Sequence, residues 1–237
     1  MSWLSIRQCL SYVGLAKLAR LTNESAEKAL LGVGDGVIAA YTTPFFGGGT
    51  PKVYADGVEV TVGITLAQTG TGERWTVTFS TPATYSGKRL EALSIDGVNA
   101  DVLDQKLTAA QAEIRGYVNA SSRFSAPADN AAAVGEPLLR WSWDVAAYLL
   151  ASDLRRAGLL EAYPGIADRY ADLTGGGPGA QGRPASFQPV LRDVAKGQYD
   201  LSGVTGVTAK TGSMSATDPY ITSSYGSEGD RVFGPPE

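Results

Sequence analysis

Residues 101–170 read DVLDQKLTAAQAEIRGYVNASSRFSAPADNAAAVGEPLLRWSWDVAAYLLASDLRRAGLLEAYPGIADRY, and their apolar spacing decides the fold. Leu103, Leu107, Ala110, Ile114 and Tyr117 recur at alternating steps of four and three, which places them on one face of a helix. A polar, proline-bearing break follows at 121–135. Pro137 then sits where a first-turn proline belongs, after Glu136. The next helix carries Leu138, Trp141, Val145, Tyr148, Leu149 and Ser152 on one side, and Gly158 is its expected stop. A short third helix completes the block.

Working outward, residues 2–31 read as short helices. Gly14 divides the first pattern into two pieces, with one continuous helix as the alternative, and Thr22 or Asn23 is placed to cap a helix running to Leu31. From Val33 to Ile95 the period drops to two. VIAAYT (37–42), KVYADG (52–57), VEVTVGITL (58–66), RWTVTFST (74–81) and RLEALSID (89–96) are the strand candidates. Asp56-Gly57 is a hairpin turn signal, and Gly70 and Gly72 mark another turn. Four segments are therefore expected: N-terminal helices of a helical core (1–32), an inserted antiparallel β-sandwich-like domain (33–96), the main helical core (97–201) and an extended C-terminal arm (202–237). The class is α+β. Gly32–Gly34 and Asp96-Gly97 are read as the joints of a separable insertion. TGGGPGAQGRP (174–184) is a loop that contact alone can order, and a last short helix spans about 186–196, ending at Gly197.

The composition limits the chemistry. There is no histidine, which removes the commonest general base, the Ser-His-Asp and Cys-His constellations and most zinc sites. The one cysteine, Cys9, lies among apolar neighbours and reads as a buried packing residue. Twenty basic against 24 acidic side chains leave a net charge of −4, which argues against gripping nucleic-acid phosphates. No apolar run is long enough to span a membrane, and the N-terminus lacks the basic start of a signal peptide. GGGPG (175–179) lacks the Lys-Ser/Thr of a phosphate loop, and GVGDG (32–36) precedes a strand where a dinucleotide site needs a helix. Asp144, Asp153, Glu161 and Asp168 are better read as ion-pair partners of Arg140, Arg155, Arg156 and Arg169 than as an acid–base pair.

Several pieces, taken in order, carry a resemblance. AAQAEIRGYVNASSRFSAP (109–127) has an A-x-x-E-I-x-x-Y-like helix leading to an R-F-x-x-P turn at Arg123, Phe124 and Pro127. PLLRWSWDVAAYLLASDLRR (137–156) contains a D-V-A-x-Y-L helix, and YPGIADRYADL follows at 163–173. LRDVAKGQYDL (191–201) and the terminal GDRVFGPPE (229–237) complete the set. Together they resemble the Mu-like tailed-phage head–tail connector (adaptor) family. The β segment is similar, more loosely, to small β modules of phage structural proteins.

The resemblance implies a non-enzymatic virion protein of the neck, assembled in the host cytoplasm. It would form a homo-oligomeric ring, expected to be a dodecamer, below the portal protein and above a stopper or other tail-side neck protein. DNA would pass through the channel without specific binding, with no cofactor and no membrane. The portal-docking arm would be carried by Tyr220, Ile221, Tyr225, Arg231, Val232 and Phe233. Trp143, with Arg155 and Arg156, is the candidate subunit interface, since exposed Trp and Arg are enriched at binding hot spots. A stopper or tail terminator is the alternative, although such proteins are β-dominated; a β-sandwich-bearing hydrolase ranks third.

Overall fold

The computed structural model describes residues 3–23, 28–68, 73–153, 158–184 and 186–210. The chain is α+β, with antiparallel sheets set between two groups of helices.

Helix α1 (Ile6–Val13) begins with a capping box: Ser5 Oγ accepts from the Gln8 amide, and the Ser5 amide donates to Gln8 Oε1. Gly14, at φ 75°, breaks it from α2 (Leu15–Asn23), so the two-piece reading holds. Ahead of α1, the Trp3 amide donates to Gln111 Oε1 at 2.8 Å and its indole to the Ala128 carbonyl at 3.0 Å.

Helix α3 (Ala100–Ala120) follows the expected spacing. Leu103, Leu107, Ala110, Ile114 and Val118 are buried, and Tyr117 is half-buried beside them. Helix α4 (Glu136–Ala151) departs from it. Besides the apolar side foreseen, it buries Leu139, Ser142, Trp143, Asp144, Ala146, Ala147 and Leu150, so it is covered on every side. Its C-cap is Ser152 and not Gly158; Gly158, at φ 91°, instead precedes α5 (Leu159–Ala162). Helices α6 (Pro164–Thr174) and α7 (Val190–Ala195) close the body, with Gly197 stopping α7 as expected. The glycine-rich loop is ordered by contact: Gly177 lies against the stacked rings of Tyr148 and Tyr170, 3.8 Å apart at 8°. A Cβ on Gly179 would come within 2.5 Å of the Ala167 carbonyl oxygen, so that position needs glycine for its close backbone approach.

The sheets corrected the N-terminal reading. Residues 29–33, expected at the end of a helix reaching Leu31, form strand β1 (Ala29–Val33), paired antiparallel with β7 (Arg89–Leu93). Strands β3 (Lys52–Ala55) and β4 (Val58–Val60) join that sheet in the order β1-β7-β3-β4. The β3–β4 turn is the one forecast: Asp56 and Gly57 both have positive φ, as a two-residue hairpin with the sheet's twist requires. VEVTVGITL is two strands, not one. Gly63, at φ 74°, ends the crossing to β5 (Ile64–Gln68), which belongs to the second sheet, β5-β6-β2-β8. There β6 spans Arg74–Phe79, β2 Ala40–Phe46 and β8 Val98–Asn99. Pro44 sits where the β2–β6 register shifts, a place where a strand tolerates a missing amide donor. Val53, Ala55, Val77, Phe79 and Leu90 form a small core between the two sheets. The turn expected at Gly70 and Gly72 lies outside the described residues.

The insertion is clasped rather than hinged. Thr22 Oγ1 accepts from the Asn99 amide at 3.0 Å, and Asn23 Nδ2 donates to the carbonyls of Ser94 and Gly97. Its two ends therefore lie side by side, as an inserted module needs, but at Thr22-Asn23 and 94–99. Gly34 is no joint. It donates to the Lys88 carbonyl inside the β region, and a Cβ there would collide with Tyr85 O. The β region also shares packing with the body, since Phe46 and Val98 lie in the large helical core. Arg74 reaches Asp101 of α3 at 2.8 Å across the same junction.

Candidate functional site: the seat of the C-terminal segment

Two of the pieces that carry the connector resemblance, 109–127 and 191–201, meet at the end of α3. That helix stops at Ser121, whose amide returns to the Val118 carbonyl and whose hydroxyl accepts from the Arg123 amide at 3.2 Å. Asn119 Oδ1 accepts from the Ala126 amide and fixes the turn that follows. Phe124 is buried, with the Arg123 guanidinium 5.1 Å from its ring centroid. Arg123 also donates to the Gly197 carbonyl at 3.0 Å and lies 3.9 Å from Asp200, which ties the R-F-x-x-P turn to the Lys196-Gly197 end of α7. Gly197 is at φ 71°, and a Cβ there would lie 3.2 Å from Arg123 Cδ, so both conformation and space call for glycine.

From this point the chain runs back over the body. Leu201 is buried, and Val204 and Val207 pack against the helical core. The Gly135 amide donates to the Thr205 carbonyl at 2.9 Å, immediately before α4. A Cβ on Gly135 would meet Val204 Cγ1 at 2.5 Å. Strand β10 (Thr208–Ala209) pairs antiparallel with β9 (Phe124–Ser125). Lys210 closes the seat: its amide donates to the Arg123 carbonyl, and Nζ donates to the carbonyls of Asn119 (2.8 Å) and Ser121 (2.5 Å). Those carbonyls belong to the negative end of α3, where an ammonium is favoured both as a donor and by the helix dipole.

Segment 202–210 is therefore packed on the body and not part of a free arm. Tyr220, Ile221, Tyr225, Arg231, Val232 and Phe233, the expected docking residues, lie outside the described residues, as do Arg155 and Arg156. Trp143 is corrected. It is 1% exposed, with Tyr12 of α1 6.4 Å from it ring to ring, so the protomer's own core covers it. Trp141 is also buried, in a T-shaped contact with Tyr199.

Of the four carboxylates raised as acid–base candidates, Asp144 and Asp153 stand in ion pairs, while Glu161 and Asp168 are exposed on α5 and α6. Asp144 is buried between Arg140 at 3.6 Å and Arg169 at 3.0 Å; burial raises its pKa while both arginines pull it down. Asp153 faces Lys106 at 3.5 Å. Burial pushes the Cys9 thiol up to about 12, so it is a packing group and not a nucleophile. Tyr170 donates to Glu113 at 3.2 Å; burial raises both, Tyr170 to about 12. Among the described residues, no three His, Cys, Asp or Glu side chains are grouped to hold a metal ion, and no helix is long and apolar enough to cross a membrane.

The sequence reading missed Gly135, Val204, Val207 and Lys210. One signal was available: Lys210 is the lone cation in the Gly/Ser/Thr-rich run 202–230. Comparison of the chain with family models, with curated proteins and with solved structures finds no match.

Proposed function

We propose that this chain is a head–tail connector of a tailed phage, a ring-forming virion protein placed between portal and tail. The observation that carries the reading is the seat. The R-F-x-x-P turn, the K-G helix end and the residues after it are distant in sequence, yet they build one structure. That structure fixes residue 210 on the body. A body that anchors the root of a long polar arm with scattered aromatics suits a part that attaches to a larger assembly. In a ring, each arm after the first binds at high effective concentration, so weak contacts sum to firm attachment. The portal is the partner of the arm, the stopper or another neck protein lies on the tail side, and the overall acidic balance suits a channel through which DNA slides.

The direct test is negative-stain imaging of the purified protein, alone and with its portal, beside a version ending at Lys210. The full chain should form rings that cap the portal. The shortened chain should fold, with an unchanged circular dichroism spectrum, and fail to cap. A shortened protein that still caps the portal overturns the arm's role. A protein that never forms rings, with or without portal, overturns the connector reading, and a β-rich hexamer would point to a tail terminator. The channel role predicts no gel shift of duplex DNA at about 150 mM salt, where the screening length is near 8 Å. Tight binding there would replace a passive channel with a DNA-engaging neck protein.

A further inference from the structure

The connection between α3 and α4 runs from Ser121 to Gly135, and β9 is its one piece of regular structure. Connections this long inside a compact body are uncommon, and those that are ordered usually serve a function. Its first part, as far as Ala126, is tied to the end of α3 through the Ser121 hydroxyl and Asn119 Oδ1. From Pro127 onward its contacts reach both ends of the described chain.

At the first end is Trp3, which is buried and donates its indole N–H to the Ala128 carbonyl at 3.0 Å. Gln111, buried on α3, doubles this tie. Its Oε1 accepts from the Trp3 amide at 2.8 Å, while its Nε2 donates to Asp129 Oδ1 at 3.0 Å. One primary amide thus gives its acceptor to the N-terminal segment and its donor to the loop. At the other end is the strap 204–210, which meets the same loop on both sides of Ala128 in sequence. A Cβ on Gly206 would come within 3.0 Å of Pro127 Cγ and of the Ala133 carbonyl oxygen. The Gly135 amide holds the Thr205 carbonyl at 2.9 Å. Trp3, Val204 and Val207 all pack on the one helical core.

We propose that this loop is a latch shared by the two ends of the chain. Trp3 and Gln111 are positioning residues: they hold 127–135 in the shape that seats 204–210, so drawing out either end loosens the other. Ala128 lies between Pro127 and Ala133, the two walls that close on Gly206, and the glycine leaves no slack between them. A loop released at Ala128 no longer presents both walls and the Gly135 amide to the strap at once. The dependence runs in both directions, because a coupling free energy between two sites is reciprocal. A partner that takes Trp3 from its pocket would therefore also free Val204, Val207 and Lys210. The latch stands on the geometry of the seat and not on the connector reading, so either can fail without the other.

The full chain carries its own reporter. Trypsin can cut after Lys210 only when Nζ leaves the Asn119 and Ser121 carbonyls, so the rate at which a fragment ending at Lys210 appears follows the unseated strap. Trp3→Phe keeps a ring in the pocket and removes the indole N–H. It should raise that rate about fivefold or more, the lower end of ordinary coupling between sites, with an unchanged circular dichroism spectrum. Gln111→Met should act in the same direction. Leu90→Ala weakens the small core between the sheets and touches neither end, so it should raise the rate less than either. In reverse, Lys210→Met should speed hydrogen exchange of the Trp3 amide, read by mass spectrometry of the N-terminal peptide. Trp3→Phe added to Gly135→Ala, which already loosens the strap, should raise cutting by less than Trp3→Phe does alone. Four results each overturn the latch: unchanged cutting in either Trp3→Phe or Gln111→Met, a Leu90→Ala rate that matches theirs, additive effects in the double variant, or unchanged exchange at Trp3.

Discussion

The helical body and the β region solve burial in opposite ways. Helix α4 lies at the centre of the body and is covered all round, so its sequence mixes tryptophans, leucines and small residues without a clean polar face. The strands keep one face in water and bury the other in a small core of five buried side chains. The body's core gathers residues from Trp3 to Leu201 and includes Phe46 and Val98 from the strands. A core assembled from distant segments tolerates little loss at its centre, while a thin core between sheets can partly collapse around a defect.

The sharpest way to break this contrast is Trp143→Ala. Removing the largest fully buried side chain should cost about 3–5 kcal/mol and unfold helices and sheets in one transition, followed by chemical denaturation. Two well-separated transitions would show that the β region stands alone. Leu90→Ala, in the small core, should cost about 2–3 kcal/mol, toward the low end for such truncations because neighbouring strands can close in.

At the seat, Gly135→Ala forces a Cβ to within 2.5 Å of Val204 Cγ1, and overpacking of this kind costs about 1–3 kcal/mol. Limited proteolysis should then cut within 202–210 faster than in wild type. Equal cutting rates would show the strap is not held there.

The smallest effect belongs to Asp144. Its pKa is raised in the folded protein by burial, so its contribution favours folding below its unfolded value and is lost as pH rises through the folded value. Asp144→Asn should flatten that part of the stability profile above pH 4. It should change stability at neutral pH by less than about 1 kcal/mol, since desolvation offsets much of the pairing with Arg140 and Arg169. A large loss at neutral pH would mean that the ion pairs outweigh the burial.

What could be read from the sequence follows the same contrast. Helix α3 has one wet face, and its spacing predicted its buried side. The Asp56-Gly57 hairpin was legible because its backbone demands those residue types. The burial of α4 was only half legible: periodicity marks a core-facing side but is silent when every side faces the core. Trp143 was misread for that reason, since its cover comes from Tyr12, far away in sequence. Residues 29–33 form a short apolar run that suits helix or strand, and only pairing with β7 settles it. Of the seat, Arg123, Phe124 and Gly197 were marked, but Lys210 acts by capping a helix whose end lies across the chain.

The clasp at Thr22 and Asn23 also ties the folding of the body to the closing of a long loop. Helices α1 and α2 cannot join α3 and α4 without bringing the ends of the intervening segment together. Closing a flexible loop of that size costs on the order of 4 kcal/mol of chain entropy. If the β region forms first, Asn23 and the 94–99 turn are already neighbours and most of that cost is met before the body nucleates. Refolding of the helical body, followed by stopped-flow fluorescence of its buried tryptophans, should therefore slow when the small core is weakened by Leu90→Ala. In this way a defect in the sheets would lengthen the time the body spends open.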